Sequence, residues 1–233
     1  MISVFHRQCK SFVYSWNIYG FFAAFFALLG ALVMIFHVSY QYSNVEYLLS
    51  YLTIVLSLLL PLLTAFVFKE ERSAGVGRFL RSLPLSDRDI VLGKYCALLT
   101  LLGGISFLLL LLPIFLGLWG MVYYASAYMA IFCFFLFGFA MLSVDFFLAL
   151  CFKNHWIAFS VSYGVTIVLI ALGYLSSYLP GIWSVAAEHL SLFAAFAPFV
   201  FGIVDLGTVG LYLSVGVLFL LLTLWYSSKL WKE

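Results

Sequence analysis

Apolar residues in this chain come in six long blocks, at 19–38, 48–68, 93–118, 127–150, 156–176 and 209–228, and the polar positions are confined to the short stretches between them. A helix needs about 20 consecutive apolar residues to cross the hydrocarbon of a bilayer, so each block predicts one transmembrane helix. The chain 1–233 therefore reads as a single all-α, polytopic transmembrane domain. Six crossings put both termini on one side. The connections 39–47, 119–126 and 177–208 then lie on the opposite side, and 69–92 and 151–155 lie with the termini.

The charges say which side is which. All eleven Lys and Arg fall in four patches: Arg7–Lys10, Lys69–Lys94, Lys153 and Lys229–Lys232. Two apolar blocks separate each patch from the next, so every cation can face one compartment, and basic connections face the cytoplasm. The outward connections contain no Lys or Arg. Composition agrees. The chain is 66% hydrophobic and 9% charged, against about 25% charged in a soluble domain. A net charge of +2 gives no footing for nucleic-acid binding. The four cysteines, Cys9, Cys96, Cys133 and Cys151, avoid the outward connections and form no CxxC pair, which argues against a structural disulfide or metal site. No cleavable signal peptide is expected, because the first block is too long and lacks a small-residue cleavage pattern. Aromatic residues gather at the block ends, as amphipathic rings do at the membrane interface. Tyr40, Tyr42, Tyr47, Trp119, Tyr123, Tyr124, Tyr178 and Trp183 mark the outer belt; Trp16, Tyr19, Tyr95, Trp156, Trp225, Tyr226 and Trp231 mark the inner one.

Residues 1–18 are too polar to span. Phe5, Cys9, Phe12, Val13 and Trp16 follow helical spacing and form one apolar stripe, with His6, Arg7, Lys10 and Ser11 off it. This predicts a helix lying in the cytoplasmic interface; the alternative is a frayed tail with a chance stripe.

The connection 69–92 holds the most informative chemistry. Together with Lys94 it carries six of the eleven basic residues and four of the nine acidic ones. Val76, Phe79, Leu80 and Leu83 are spaced i, i+3, i+4, i+7, a short helical stripe, with Arg78 and Arg81 off it. Pro84 ends that helix. Ser86 offers an N-cap to the next one, with Asp89 three residues on, and Asp87 and Asp89 suit the positive end of its dipole. Two readings fit: a solvated connector whose stripe rests on the membrane, or a docking helix presented to a cytoplasmic partner, which pushes on spans two and three.

The run Glu70-Glu71-Arg72, Gly75, Phe79-Leu80, Ser82-Leu83-Pro84-Leu85-Ser86 and Ile90-Val91-Leu92-Gly93-Lys94-Tyr95 resembles the loop motif of ABC type-2 transporter permeases. It is most similar to the six-span branch of the gliding-motility and nitrous-oxide-reductase-maturation permeases. A weaker likeness runs along the chain and includes Asn154 before span five and Gly202-Ile203-Val204-Asp205 before span six. The resemblance implies the membrane subunit of an exporter in the bacterial inner membrane. A pair of permeases, identical or related, would form the path among membrane lipid. Two separate ABC ATPase subunits would dock on the loop, holding the ATP and magnesium, so that this chain needs no cofactor. Residues 69–92 would be the cytoplasmic coupling helix and its flanks, with Glu70, Glu71, Gly75, Phe79, Leu80, Pro84, Ser86 and Lys94 as the coupling residues. The segment 177–208 would dip into the outer leaflet, broken by Pro180, Gly181 and Pro198. Two departures stand out. Arg78 stands where the family usually has Glu, and Val76 where it has Thr, which implies an altered partner or pairing. The basic residues that often flank the Gly-Ile-Val-Asp stretch are also absent.

The chain itself carries no catalytic constellation. A P-loop needs Gly-x-x-x-x-Gly-Lys-Ser/Thr; Gly93-Lys94 is followed by Tyr95 and has Arg88 where the first Gly belongs. Glu70-Glu71 lacks the Arg at position 75 that membrane proteases of the Glu-Glu-x-x-x-Arg kind use, and Glu188-His189 is an isolated pair on different helix faces. The runner-up function is a scaffold or assembly factor that binds a partner through the same loop and transports nothing. Asp145 is the intramembrane charge. A carboxylate there costs up to about 3 kcal/mol, so it predicts either a basic partner, Lys94 or Lys153, or a protonated or water-exposed carboxyl at a cavity mouth. Glu46, His37 and His155 lie at interfaces and call for no special role. Gly103-Gly104 with Ser106 predicts a close helix approach, and Pro61 and Pro113 predict kinks.

Overall fold

Hydrocarbon offers a peptide group no hydrogen-bond partner, so an apolar block must satisfy its own backbone, and the helix does so within one segment. The computed structural model describes residues 2–39, 44–72, 87–118, 121–152, 154–176, 178 and 191–230. These form α1 (Ile2–Tyr14), α2 (Trp16–Val33) with a π-helical end (Met34–Ser39), α3 (Val45–Arg72), α4 (Asp87–Leu109), α5 (Leu111–Gly117), α6 (Tyr124–Cys151), α7 (His155–Leu175), a 3-10 turn (Ala194–Phe196), α8 (Ala197–Val200) and α9 (Leu206–Leu230). There is no strand among the described residues. Six stretches are long and apolar enough to cross a membrane: α2, α3, α4 continued by α5, α6, α7 and α9.

The prolines act differently. Pro113 lacks the N–H that would reach Leu109, four residues back, and the third span breaks there into α4 and α5. Pro61 sits inside α3, which stays one helix. Its turn is tied from two sides. The Thr64 hydroxyl lies 3.2 Å from the Leu60 carbonyl and 3.1 Å from that of Pro61. The Tyr163 hydroxyl, from α7, donates to the Leu58 carbonyl at 2.6 Å.

α6 is the hub. Of its most apolar window 72% is buried, against 17% for α2 and α7 and 22% for α9. It packs on α9, α3, α4 and α7. Since lipid is as apolar as leucine, such packing is held by close contact and not by exclusion of water, and glycine sets how close it can be. A Cβ added at Gly216 of α9 would lie 2.1 Å from the Phe139 ring of α6. One added at Gly138 would lie 2.7 Å from Leu102 of α4. Gly103 and Gly104, the expected close-approach pair, meet nothing within 4 Å in this chain.

The amphipathic N-terminal segment is a helix, and it packs against α4. Val4, Gln8 and Phe12 are its buried residues, whereas Val13 and Trp16 are exposed. The predicted stripe is thus split: Phe12 faces protein with Phe5 and Cys9 partly covered, and Val13 and Trp16 are left exposed. The inner belt also needs one correction. Trp16, Tyr19, Trp156 and Trp225 are exposed at helix ends, but Tyr95 is buried in the core.

Gly216→Ala should destabilise the chain by about 1–3 kcal/mol through overpacking against a rigid ring. Gly210→Ala, on the same helix with nothing within 4 Å, should be neutral or slightly stabilising through helix propensity. Thermal unfolding of the two variants in detergent checks the contrast.

Candidate functional site

The loop 69–92 leaves from α3 and returns into α4, so what its ends touch decides what a pull on it moves. Phe68 closes the apolar part of α3, and its ring packs 5.1 Å from that of Phe146 on α6. Tyr95 of α4 meets the same Phe146 ring at 5.5 Å, edge-on. Three aromatic rings from three helices thus share one contact, in the offset and edge geometry that aromatic quadrupoles favour. The Tyr95 hydroxyl is 2.7 Å from the Ser143 hydroxyl, also on α6. Ser143 in turn donates to the Phe139 carbonyl at 2.8 Å. That answers the need of a buried phenol for a partner in a dry core.

Lys94 sits over this cluster. It is buried, and its Nζ lies 5.5 Å from the centre of the Phe68 ring, a cation–π distance. The sequence motif ends in Lys94-Tyr95 because the two residues do different jobs at one place. Tyr95 fastens α4 to α6, and Lys94 places a cation against the last ring of α3. Together the two ends of the loop are clasped on Phe146 and Ser143. The participation of Phe68, Ser143 and Phe146 is not foreseeable from the motif. Phe68 borders it, but the two α6 residues lie in a helix that is apolar on every face.

Of the other coupling residues, Glu70 and Glu71 fall in the last turns of α3, beyond Phe68. Gly75, Phe79, Leu80, Pro84 and Ser86, and with them the coupling helix, lie outside the described residues. Arg88 is exposed, and Ile90 and Val91 are buried at the start of α4.

Asp145 occupies α6 beside the clasp residue Phe146 and is fully buried. Neither carboxyl oxygen has a hydrogen-bond partner among the described residues. The expected pair with Lys94 is not formed, since the Lys94 amino group is over Phe68. Nor is Asp145 at a wet rim. Lys153 lies outside the described residues. Among the described residues no group of three or more metal-ligating side chains comes together.

A family model described as an ABC-2 family transporter protein matches residues 9–228, nearly the whole chain. No curated protein matches, and no solved structure does.

Asp145→Asn should change stability by no more than about 1 kcal/mol, because no ion pair is broken. Removing one partner of a buried pair costs about 3–5 kcal/mol, and a loss of that size in detergent thermal unfolding would reveal a partner for Asp145.

Proposed function

This chain belongs to the ABC-2 transporter family, and from that membership and the clasp we propose that it is the permease subunit of an ATP-driven exporter. It is a multi-pass membrane component of an ABC system and not the ATPase. In our reading it works as a dimer with itself or a related permease, in the bacterial inner membrane, with both termini in the cytoplasm. It stands closest in kind to the six-span branch named above. Two ABC ATPase subunits, carrying ATP and magnesium, dock on residues 69–94.

The observation that carries the coupling proposal is the shared footing of the two loop ends. A force on the loop cannot displace α3 without loading Phe146, and cannot displace α4 without loading Phe146 and Ser143. Both routes end on α6, which packs on α3, α4, α7 and α9. A docked motor closing on ATP would therefore drive the whole bundle from one point. The basic character of the loop, with Arg78 in place of the family's usual Glu, favours an ATPase whose docking groove is correspondingly more acidic.

The test is co-purification of the full chain with a co-expressed candidate ABC ATPase subunit. Phe79→Asp with Leu80→Asp removes two apolar anchors worth about 1.5–3 kcal/mol each when buried. It should weaken ATPase binding by more than tenfold and abolish stimulated ATP turnover. Retained binding would remove the docking role from this stripe. Binding and turnover without movement of any cargo across a vesicle would favour the scaffold reading.

A further inference from the structure

At the end of the bundle opposite the clasp, the first turns of α3 and α6 and the turn after α8 line an open cavity of about 890 Å³. The turn is built for its place. Ile203 N–H donates to the Pro198 carbonyl at 3.0 Å, and Gly202 N–H to the Phe199 carbonyl at 3.1 Å. With Gly202 at φ +73°, this is the paired closure that lets a helix end on a left-handed residue. It swings Val204 into the cavity wall beside Phe201. The next residue, Asp205, caps α9. Its carboxylate accepts from Gly207 N–H at 3.0 Å, Thr208 N–H at 3.1 Å and the Thr208 hydroxyl at 2.8 Å. The Thr208 hydroxyl, then the two amides, hold its carboxyl below the usual range. Its charge is already committed to the helix.

Glu46 is not so committed. It is 7% exposed and is the one charged side chain among the described residues lining the cavity. The Ser126 hydroxyl donates to its Oε1; Oε2 accepts no hydrogen bond among the described residues. The rest of the wall is mostly aromatic and apolar, with the rings of Tyr123, Tyr128 and Phe201, and Asn44 and Ser126 are its other polar residues. No Lys or Arg occurs in any outward connection, whereas Glu46, Glu188 and Asp205 all do, so the field at this face favours cations. One carboxylate with a spare oxygen, ring faces around it and apolar walls beyond describe a receptor for a cation joined to an apolar body.

We propose that this cavity binds the cationic head of an amphiphilic cargo, an ammonium or guanidinium group on an apolar tail, with Glu46 as its counter-ion. Calling the ligand a cargo rests on the permease reading; the binding itself does not. The test uses the purified full chain in phosphatidylcholine nanodiscs, titrated with a dansyl-labelled octylammonium and followed by fluorescence anisotropy. Empty nanodiscs correct for partition into lipid, and the matching octyl sulfonate controls for charge. Saturable binding of the ammonium and not of the sulfonate is expected. Glu46→Gln keeps an oxygen for Ser126 but removes the charge, and should weaken binding roughly tenfold or more. Val204→Trp adds a bulky ring to the cavity wall and should weaken it several-fold. Equal affinity for the sulfonate, or unchanged ammonium binding in either variant, overturns the proposal. If Glu46→Gln does not fold, Val204→Trp decides alone. ATPase co-purification is measured on the same preparations. Its loss with ammonium binding intact strikes the coupling reading and leaves this site standing, and the reverse result strikes only this site.

Discussion

A polar group inside a bilayer has only the protein to bond with, and that constraint organises the described structure. The hydroxyls along the spans turn back onto their own helices: Ser57 to Ile54, Ser106 to Leu102, Thr223 to Phe219, each bonding a carbonyl three or four residues earlier. Where a hydroxyl reaches across helices it marks a joint. Tyr163 ties α7 to α3 beside Pro61, Tyr95 ties α4 to α6, and Tyr212 of α9 reaches the Leu192 carbonyl ahead of the 3-10 turn. Against this background the exceptions are conspicuous. Among buried side-chain polar atoms of the described residues, the two Asp145 oxygens and the Thr166 hydroxyl lack a partner. A carboxyl kept in that state at the hub lowers stability.

Sequence reasoning reached far where periodicity and charge were the carriers, and stopped where packing was. Span number and the membrane class follow from block length, because the hydrocarbon thickness is fixed. The N-terminal helix is legible from its stripe, yet the stripe does not say that Val4, Gln8 and Phe12 would face protein while Val13 and Trp16 would not. Tyr95 shows the same limit. At a block end it reads as an interface anchor, and only the position of Ser143 and Phe146 on another helix makes it a core residue. The deeper reason lies in α6. A helix that is apolar all round has no preferred face in its sequence, so its neighbours are chosen by shape. Gly216 against Phe139 and Gly138 against Leu102 are shape choices, and the more visible Gly103-Gly104 pair is not used within the chain.

Glu46 is the instructive omission. Read alone, an acid in the first turn of α3 is a helix-dipole partner and needs nothing more. What changes the reading is Ser126, 80 residues away, and the turn around Gly202, which together wall the carboxylate into a cavity. The Gly-Ile-Val-Asp stretch, a weak match in the sequence, gains a physical account here. Its glycine supplies the left-handed residue that closes α8, and its aspartate caps α9.

The two ends of the molecule are electrically opposite, and the opposition bears on direction. In the orientation we propose, the cations face the cytoplasm, and one of them, Lys94, is packed into the clasp. The outer connections carry acids alone. A cationic amphiphile would meet unfavourable charge at the inner face and favourable charge at the outer one. Left to itself, such a field draws the cargo outward and resists its return. The outer field cannot supply the work of release, because a site that attracts also retains. That work has to come from rearranging α3 and α6, the helices that bring Glu46 and Ser126 together at one end and meet at Phe146 at the other. One helix pair thus spans the clasp, where we propose that the motor acts, and the cavity's wall, and parting its outer ends would both break the Glu46–Ser126 contact and open the site.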